Sequence, residues 1–320
     1  MVQVTKARRW VIVLILSLFL LFNQMDVLFL RPITTQLILV LDARSVWIDP
    51  LVTLSVVVSI LFGLFWGFMY DWHSRKRILA LISFLWGVSS WMVGISPTVA
   101  TYIVSSAAGG IDNISASGIF SLVVDFFGSK NRGKILGFLL ISQPMAFFIM
   151  IIVSSNMADT LNWRILLLEI GIVAFLFTLY FYFFLHEPKR GASERSMTDV
   201  PMSGTYLFDW ELAKQNLMTP SMPLIFIFSL LGTMPWFVLT TWISPLFQTG
   251  AQVSSEVVAG RLLPGLIALM IGYPVGGFLG DLFAQKRDTG RVLMALLGVL
   301  LPSIFSCWLL LSTTCSAAIL

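Results

Sequence analysis

A short motif that indicates the fold occurs in two similar copies. The first copy reads Gly67-Phe-Met-Tyr-Asp71-Trp-His-Ser-Arg75-Lys76-Arg77. The second copy reads Gly277-Phe-Leu-Gly-Asp281-Leu-Phe-Ala-Gln-Lys286-Arg287. In both copies an acid follows a glycine by four residues at the end of an apolar run, ahead of basic residues. The glycine allows a close helix approach, and the acid can offset the cations or cap a neighbouring helix N-terminus. Two copies at matching places indicate a duplication with parallel halves.

The composition places most of the chain in lipid. Of its 320 residues, 58% are hydrophobic and 11% are charged, and the mean hydropathy is +0.91. A soluble globular protein would have about 45–50% apolar and about 25% charged residues. Disordered chains are polar and rich in charge, so this class is excluded as well. The composition therefore predicts an integral, multi-pass membrane protein.

Nine apolar runs are long enough to cross a bilayer as helices. A hydrocarbon core of about 30 Å needs about 20 apolar residues, because each helical residue rises about 1.5 Å. The predicted spans are residues 10–30, 51–70, 78–95, 99–124, 135–153, 164–185, 224–247, 257–279 and 292–311. Six spans thus precede the polar linker at 186–223 and three follow it. Within the linker, Asp209 could cap a short interfacial helix, or the segment could be an unstructured loop.

The basic residues divide unevenly between the two sides of the predicted membrane. With a cytoplasmic N-terminus, sixteen of the 20 basic residues fall on the inner side, and the outer side keeps Arg31, Arg44, Arg164 and Arg261. This bias follows the positive-inside rule and predicts a cytoplasmic N-terminus in a cell membrane. The net charge of +4 is therefore assigned to topology. Because no basic segment is interleaved with stacking aromatic residues, we expect no nucleic-acid binding.

The sequence also argues against metal, cofactor and nucleotide chemistry. Cys307 and Cys315 lie in apolar surroundings, and the two histidines form no metal-ligand spacing. The stretch 128–134 is similar to a phosphate-binding loop, but Ile135 stands where a magnesium-binding Ser or Thr is needed. No nucleophile, base and orienting group fall at one depth, so we predict no enzyme, no cofactor and no metal site.

Two carboxylates lie within the predicted spans and are the strongest functional candidates. Asp26 lies towards the outer half of the first span, with Asn23 one turn earlier on the same face. Asp112 lies near the middle of the fourth span and is followed by Asn113. Ionisable residues at such depths usually face a cavity or a partner. Either carboxyl could exchange protons or recognise a cation, or could be a neutral acid bonded to a neighbouring helix.

Other polar residues are predicted at the two ends of the spans. Glu169 could pair with Arg164 or Arg261 as an outer gate, or act as a rim anchor. On the inner side we predict two structural pairs, Asp125 with Arg132 and Asp71 with Arg75. Small-residue spacing predicts close helix packing at Gly63 with Gly67 and at Gly272, Gly276 and Gly280.

These motifs resemble those of the major facilitator superfamily of secondary transporters. The inner-loop motif of that family is matched by Gly67, Asp71, Arg75, Lys76 and Arg77. Residues 125–137 look like its loop after helix four, and Asn162-Trp163-Arg164 looks like the start of its helix six. The Spinster-like branch is the most similar, through Asn23-Gln-Met-Asp26, Gly109-Gly-Ile-Asp112 and Glu187-Pro188-Lys-Arg190-Gly191-Ala-Ser-Glu194.

The resemblance implies an all-α fold with a six-helix N-terminal bundle at 1–185 and an incomplete three-helix C-terminal bundle at 224–320. The family has twelve helices, so we expect a chain truncated after the ninth. The implied function is alternating-access transport of a small organic or lipid-like substrate, with protons as coupling ion and the bilayer as partner. Alternatives are an organic-anion carrier and a non-transporting receptor, assembly protein or inactive fragment.

Overall fold

The computed structural model describes residues 6–41, 48–112, 116–128, 131–157, 162–193, 210–234, 255–287, 289–301 and 304. These residues contain no strand and are almost entirely helical. The helices of the first half are α1 (Lys6–Leu41), α2 (Ile48–Trp72), α3 (Arg75–Ile95), α4 (Val99–Gly109), α5 (Ala116–Phe126), α6 (Arg132–Leu140), α7 (Ser142–Met157) and α8 (Trp163–Leu179), which continues as a π-helical turn (Tyr180–Phe184). The remaining helices are α9 (Trp210–Leu217), α10 (Ser221–Met234), α11 (Ser255–Lys286) and α12 (Gly290–Leu301).

The predicted spans are largely recovered as helices. Within the described ranges, six helices are long and apolar enough to cross a membrane, and α9 with α10 forms a seventh candidate bent by 74°. α9 is the short linker helix that the sequence left open, and its predicted cap Asp209 lies outside the described residues. In the fourth predicted span, α4 ends at Gly109 and residues 110–112 form turns, whereas residues 113–115 lie outside the described residues.

The first-half core lies where α1, α3 and α8 meet. Phe19 of α1 makes edge-to-face contacts with Trp86 of α3 and Phe181 after α8, at ring-centroid distances of 5.5 and 5.2 Å. All three side chains are fully buried. Such aromatic pairs stabilise packing beyond the area that they bury. This core fixes α1 against α3, the two helices that carry Asp26 and its hydrogen-bond donors.

The second half contacts the first through a close crossing of α11 with α6. The backbone carbonyl of Gly133 in α6 lies so close to Gly277 in α11 that a side-chain carbon on Gly277 would overlap it. A side chain on Gly137 would likewise overlap the backbone of Tyr273. Glycine at these positions therefore lets the two helix backbones touch, as small residues do in membrane helix pairs.

The glycines predicted from spacing are not the ones at this crossing. No described residue other than neighbours in the same helix lies within 4 Å of a side-chain carbon placed on Gly67, Gly272, Gly276 or Gly280, so the described structure shows no close packing at these glycines. The spacing rule identifies a stripe on α11, but the rotation of the helix turns Gly277 towards α6. Gly67 is the first-half glycine of the repeated motif. Unlike Gly277, it makes no close contact with any described residue.

The Gly277→Ala variant is expected to be destabilised by about 1–3 kcal/mol, because the backbone of Gly133 cannot move aside without separating α6 from α11. Gly276→Ala is a matched control on the same helix, and we expect it to be neutral or to gain up to about 1 kcal/mol of helix propensity. Thermal unfolding of both variants in detergent checks the difference. Equal melting temperatures would contradict the assigned rotation of α11.

Candidate functional site

The two predicted carboxylates lie in one buried polar cluster. Asp112, directly after α4, is 3% exposed, and Asn23 of α1 is 2% exposed. The amide Nδ2 of Asn23 donates a hydrogen bond to Asp112 Oδ2 over 3.2 Å. The structure therefore joins Asn23 to Asp112 across the first and fourth spans, whereas Asn113 lies outside the described residues.

Asp26 is held by the third span. Its Oδ2 accepts hydrogen bonds from Trp86 Nε1 at 2.9 Å and from Ser90 Oγ at 3.1 Å. Asn23, which donates to Asp112, lies one turn before Asp26 on α1. The sequence analysis missed both donors of Asp26, although a polar serine and a tryptophan inside an apolar span are signals that could have indicated them.

Several polar atoms of this cluster lack partners in the described part of the chain. Asp112 Oδ1 is buried there without a hydrogen bond, and the buried hydroxyls of Tyr102 and Ser106 on α4 have no partner outside that helix. Burying a polar atom without a partner costs about 1–3 kcal/mol, and more for a charged group. Such a cost is usual where a site is built to bind a proton or a polar ligand.

The interruption of the fourth span is packed by the second. A side chain on Gly110 would meet the backbone carbonyl of Ser55 at 2.5 Å, so α2 lies against the break. Trp66 of α2 donates its Nε1 hydrogen to the carbonyl of Ile111 at 2.6 Å. Non-helical backbone at membrane depth is tolerated where protein covers it or where it lines a cavity. The break thus places Asp112 on irregular backbone between helices, as discontinuous helices do in transporter sites.

Of the predicted outer-gate residues, Arg164 and Glu169 do not pair with each other in the described part of the chain. Arg164 donates from Nη1 to the carbonyls of Gly94 and Ser96, at 2.9 and 2.8 Å, at the end of α3. Glu169 lies exposed on α8. The side chain of Arg261 lies outside the described residues. Arg164 therefore acts as a cation at a helix C-terminus, a favourable position with respect to the helix dipole.

The inner pairs also differ from those predicted. Arg75, 4% exposed, binds Asp125 Oδ2 through Nη1 at 2.6 Å and Glu187 Oε1 through Nε at 3.3 Å. Arg132 donates to Ser193 Oγ at 3.1 Å, and Asp71 is exposed at the end of α2. The predictions of Asp125 with Arg132 and of Asp71 with Arg75 are therefore corrected. Both predictions paired residues that are close in sequence. In the structure, the Arg75 side chain instead binds acids on distant segments.

The segment after α8 completes this inner cluster. Gly191 donates its backbone N–H to Asp125 Oδ1 at 2.9 Å and has a φ of 68°, a left-handed conformation that favours glycine. Glu187 accepts hydrogen bonds from Ser74 Oγ and from the Arg75 backbone N–H. Burial acts to raise the pKa of Glu187, but these hydrogen bonds and the Arg75 charge outweigh it and hold that pKa below its ordinary value.

We expect Glu187→Gln to lower the stability by about 1 kcal/mol at neutral pH, a value reduced for partial exposure. A carboxyl whose pKa is lowered by folding stabilises the fold above its unfolded pKa, and the stabilisation is lost as pH falls through the folded pKa. The difference from wild type should therefore shrink as pH falls below the ordinary glutamate pKa of about 4.3, and disappear once the pH is below the lowered pKa of the folded state. Melting temperatures across pH check this, with Glu211→Gln on exposed α9 as control. A difference that persists at low pH would contradict the cluster.

The acid of the second motif copy, Asp281, contacts the start of α6, whereas the acid of the first copy, Asp71, is exposed. Asp281, 1% exposed, accepts hydrogen bonds from the backbone N–H groups of Gly133 at 3.1 Å and Lys134 at 2.9 Å. Arg291 binds the same carboxylate at 2.9 Å. Asp281 thus caps α6 and also binds a cation, the two roles that the sequence left open for the motif acid. The other residues of that copy, Lys286 and Arg287, are exposed at the end of α11.

Comparison with known proteins supports the same fold. Over 305 residues the chain is 23% identical to protein spinster of Drosophila melanogaster, covering 92% of this chain and 49% of that protein. An inward-facing bacterial homologue of the human lysosomal transporter Spinster has a TM-score of 0.61 at 16% identity, covering 88% of this chain and 64% of that one. The proton:xylose symporter XylE has a TM-score of 0.59 at 18% identity, covering 87% and 70%. The chain thus spans about half the length of its Drosophila relative.

The family comparison covers nearly the whole chain. It also bears out the expectation that the chain is not an enzyme. Because the match to the family model runs over residues 14–320, this chain is a multi-pass membrane protein that belongs to the Major Facilitator Superfamily.

Proposed function

We propose that this protein moves an organic solute or amphiphile across a cell membrane by alternating access, with protons as the coupling ion and the basic end facing the cytoplasm. The observation that carries the proposal is Asp112, a carboxylate buried at a helix break with one oxygen lacking a partner in the described structure. A buried carboxyl of this kind favours its neutral form and can release a proton when the site opens to water.

The position of Asp26 supports the same role. Its carboxylate shares the electrostatic environment of Asp112, but two donors of α3 bind it. Protonating one acid removes its repulsion of the other, so the two carboxyls respond to protons as a coupled pair. Asn23 lies on the same helix as Asp26 and donates a hydrogen bond to Asp112. Asn23 therefore connects the two acids.

The substrate class is proposed from the relatives and from the apolar surroundings of the site. The resemblance of the sequence motifs to the Spinster-like branch favours a lysolipid or sphingoid-like amphiphile. An organic anion is the second candidate, and it would need a cation within the membrane. The side chains of Arg31 and Arg261, the nearest such cations in sequence, lie outside the described residues.

The test is proton movement in liposomes that contain the purified chain and a pH-sensitive dye. We expect at least one member of a panel of lysolipids, sphingoid bases and organic acids to move protons when it is added, and a pH gradient to drive its accumulation. Protein-free liposomes report leakage of each solute. A folded preparation that moves none of the panel would overturn the proposal and favour a non-transporting receptor or fragment.

A further inference from the structure

Residues 187–193, which follow the π-helical turn and are called the strap below, contact the ends of four helices at the basic end of the first half. Glu187 accepts hydrogen bonds at the start of α3. Arg190 donates to the backbone carbonyls of Tyr70 and His73 at the end of α2. The last residues of the strap contact the other two helices, α5 and α6.

Ser193 attaches the end of the strap to α5 and α6. Its Oγ donates a hydrogen bond to the carbonyl of Val124 at 2.9 Å, in the last turn of α5. The same oxygen accepts a hydrogen bond from Arg132 Nη2 at 3.1 Å, at the start of α6. Two residues earlier, the backbone N–H of Gly191 donates to Asp125 of α5. The attachment to α5 therefore includes one hydroxyl hydrogen and one amide hydrogen of the strap.

Two basic residues precede Ser193 at a characteristic spacing. The sequence reads Lys189-Arg190-Gly191-Ala192-Ser193, with cations three and four positions before the hydroxyl. Serine kinases of the basophilic class select their substrates through acidic side chains that bind cations at these two positions. Lys189 is exposed, whereas Arg190 and Ser193 are partly buried. The spacing therefore predicts that Ser193 is a phosphoacceptor.

The strap is folded into a turn just before Ser193. Gly191 has its left-handed φ there, and the backbone N–H of Ala192 donates to the carbonyl of Lys189 at 3.1 Å. A kinase takes up the residues before the acceptor serine in an extended conformation, so the segment must change shape on binding. Local openings of this size occur without global unfolding. Phosphorylation of Ser193 should therefore be limited by opening of the strap.

We propose that Ser193 is a phosphorylation site for a basophilic serine kinase, and that the phosphate releases the strap from α5. In the reaction, Ser193 Oγ forms a bond to the γ-phosphorus of ATP, the bond from that phosphorus to the bridging oxygen of ADP breaks, and the hydroxyl proton passes to the base of the kinase. The site requires no transport. It rests on the proposed function only in that the basic end faces the cytoplasm, where ATP is available.

The phosphate removes one attachment of the strap and weakens the other. A phosphorylated serine has no hydrogen on Oγ to donate to the Val124 carbonyl. The phosphate carries a charge of about −1.5 to −2 and would lie at the C-terminal end of α5, which has the negative end of the helix dipole and carries Asp125. Attraction to Arg132 acts in the same sense, because a phosphate that follows Arg132 leaves the Val124 carbonyl.

Incubation of the purified full chain in detergent with ATP and the catalytic subunit of cAMP-dependent kinase, a basophilic enzyme, tests the site from either membrane face. We expect mass spectrometry of peptides to locate the phosphate on Ser193. Lys189→Gln should lower the initial rate about threefold to fivefold, the effect of one exposed ion pair with the kinase. Lys286→Gln removes the same charge from the exposed end of α11 and should leave the rate at Ser193 unchanged.

A variant that loosens the strap should raise the rate. Glu187→Gln removes contacts at the other end of the strap. We expect it to be phosphorylated at Ser193 about threefold to fivefold faster than wild type, because the rate follows the population of the open segment. Glu211→Gln, on exposed α9, should leave the rate unchanged.

Hydrogen–deuterium exchange of the phosphorylated chain measures release of the strap. The amide of Gly191 is bound by Asp125 in the unmodified chain. After phosphorylation we expect this amide to exchange at least about tenfold faster. Treatment with a phosphatase should restore the protection, which shows that the change is not misfolding.

Three results would overturn the proposal. The first is a folded chain that takes up no phosphate, or takes it up at other basic-flanked acceptors such as Thr198 or Thr289 and not at Ser193. The second is a rate at Ser193 that neither Lys189→Gln nor Glu187→Gln changes. The third is unchanged or slower exchange of the Gly191 amide after phosphorylation. The liposome test of transport is independent of all three, so the two proposals fail separately.

Discussion

The Asp112→Asn variant is expected to lose pH-gradient-driven solute uptake, with the rate falling to that of protein-free liposomes. Asparagine has nearly the same shape and can still accept the hydrogen bond from Asn23, but it cannot bind and release a proton. Uptake driven by the gradient should therefore disappear, while exchange of solute without a gradient persists. Proteoliposomes carrying each chain, compared with and without an imposed pH gradient, measure both quantities.

Two comparisons make this result specific. Glu211→Gln, on exposed α9, removes a carboxylate outside the membrane cluster and should leave uptake unchanged. Melting temperatures should show that Asp112→Asn is folded, with a stability close to that of wild type, because the amide keeps the shape and the hydrogen bond from Asn23. If Asp112→Asn retains full gradient-driven uptake, Asp112 is a structural acid and the proton-coupling proposal fails.

Asp281→Ala is expected to lower the free energy of unfolding by about 3 kcal/mol. The substitution removes two charge-assisted hydrogen bonds at the start of α6 and leaves Arg291 without its carboxylate partner. Hydrogen bonds to a charged group contribute about 1.5–3 kcal/mol each, and loss of a helix cap costs about 1 kcal/mol. The half-exposed Arg291 side chain can be hydrated after the substitution. The expected loss of stability is therefore smaller than the sum of these separate contributions.

The duplicated motif supplies the matched control for this prediction. Asp71 occupies the same motif position in the first half but is exposed, so Asp71→Ala should cost less than about 1 kcal/mol. A double-mutant cycle of Asp281→Ala with Arg291→Ala separates the ion pair from the cap. Thermal unfolding in detergent measures the stability of wild type, of the three single variants and of the double variant. Equal losses for Asp71→Ala and Asp281→Ala would contradict the assigned capping role.

The sequence predicted the helical membrane class, most spans and the duplicated motif, because these depend on local hydropathy and on a motif repeated along the chain. It also identified Asp26, Asn23 and Asp112, since polar residues in long apolar runs stand out. Capping was one of the two roles that the position of Asp281 at a helix end suggested. Each of these inferences rests on properties that a single segment carries by itself.

The remaining features depend on how distant segments meet. The break after Gly109 is stabilised by Trp66 and by the backbone of Ser55, and an apolar run of ordinary length gives no sign of it. Arg75 binds Asp125 and Glu187, which are 50 or more positions away, so reasoning from neighbours assigned the wrong partners. Helix rotation, which brings Gly277 to the crossing, is likewise set by packing rather than by spacing.

The cap on α6 also has a consequence for the order of events during synthesis. Gly133 and Asp281 are 148 positions apart, and a ribosome adding about 5–20 residues per second needs roughly 7–30 seconds to make the intervening chain. During that interval the first amides of α6 must be hydrated or bound by the insertion machinery. The start of α6 therefore obtains its cap only after the second half has been made, because Asp281 accepts the hydrogen bonds of the Gly133 and Lys134 amides.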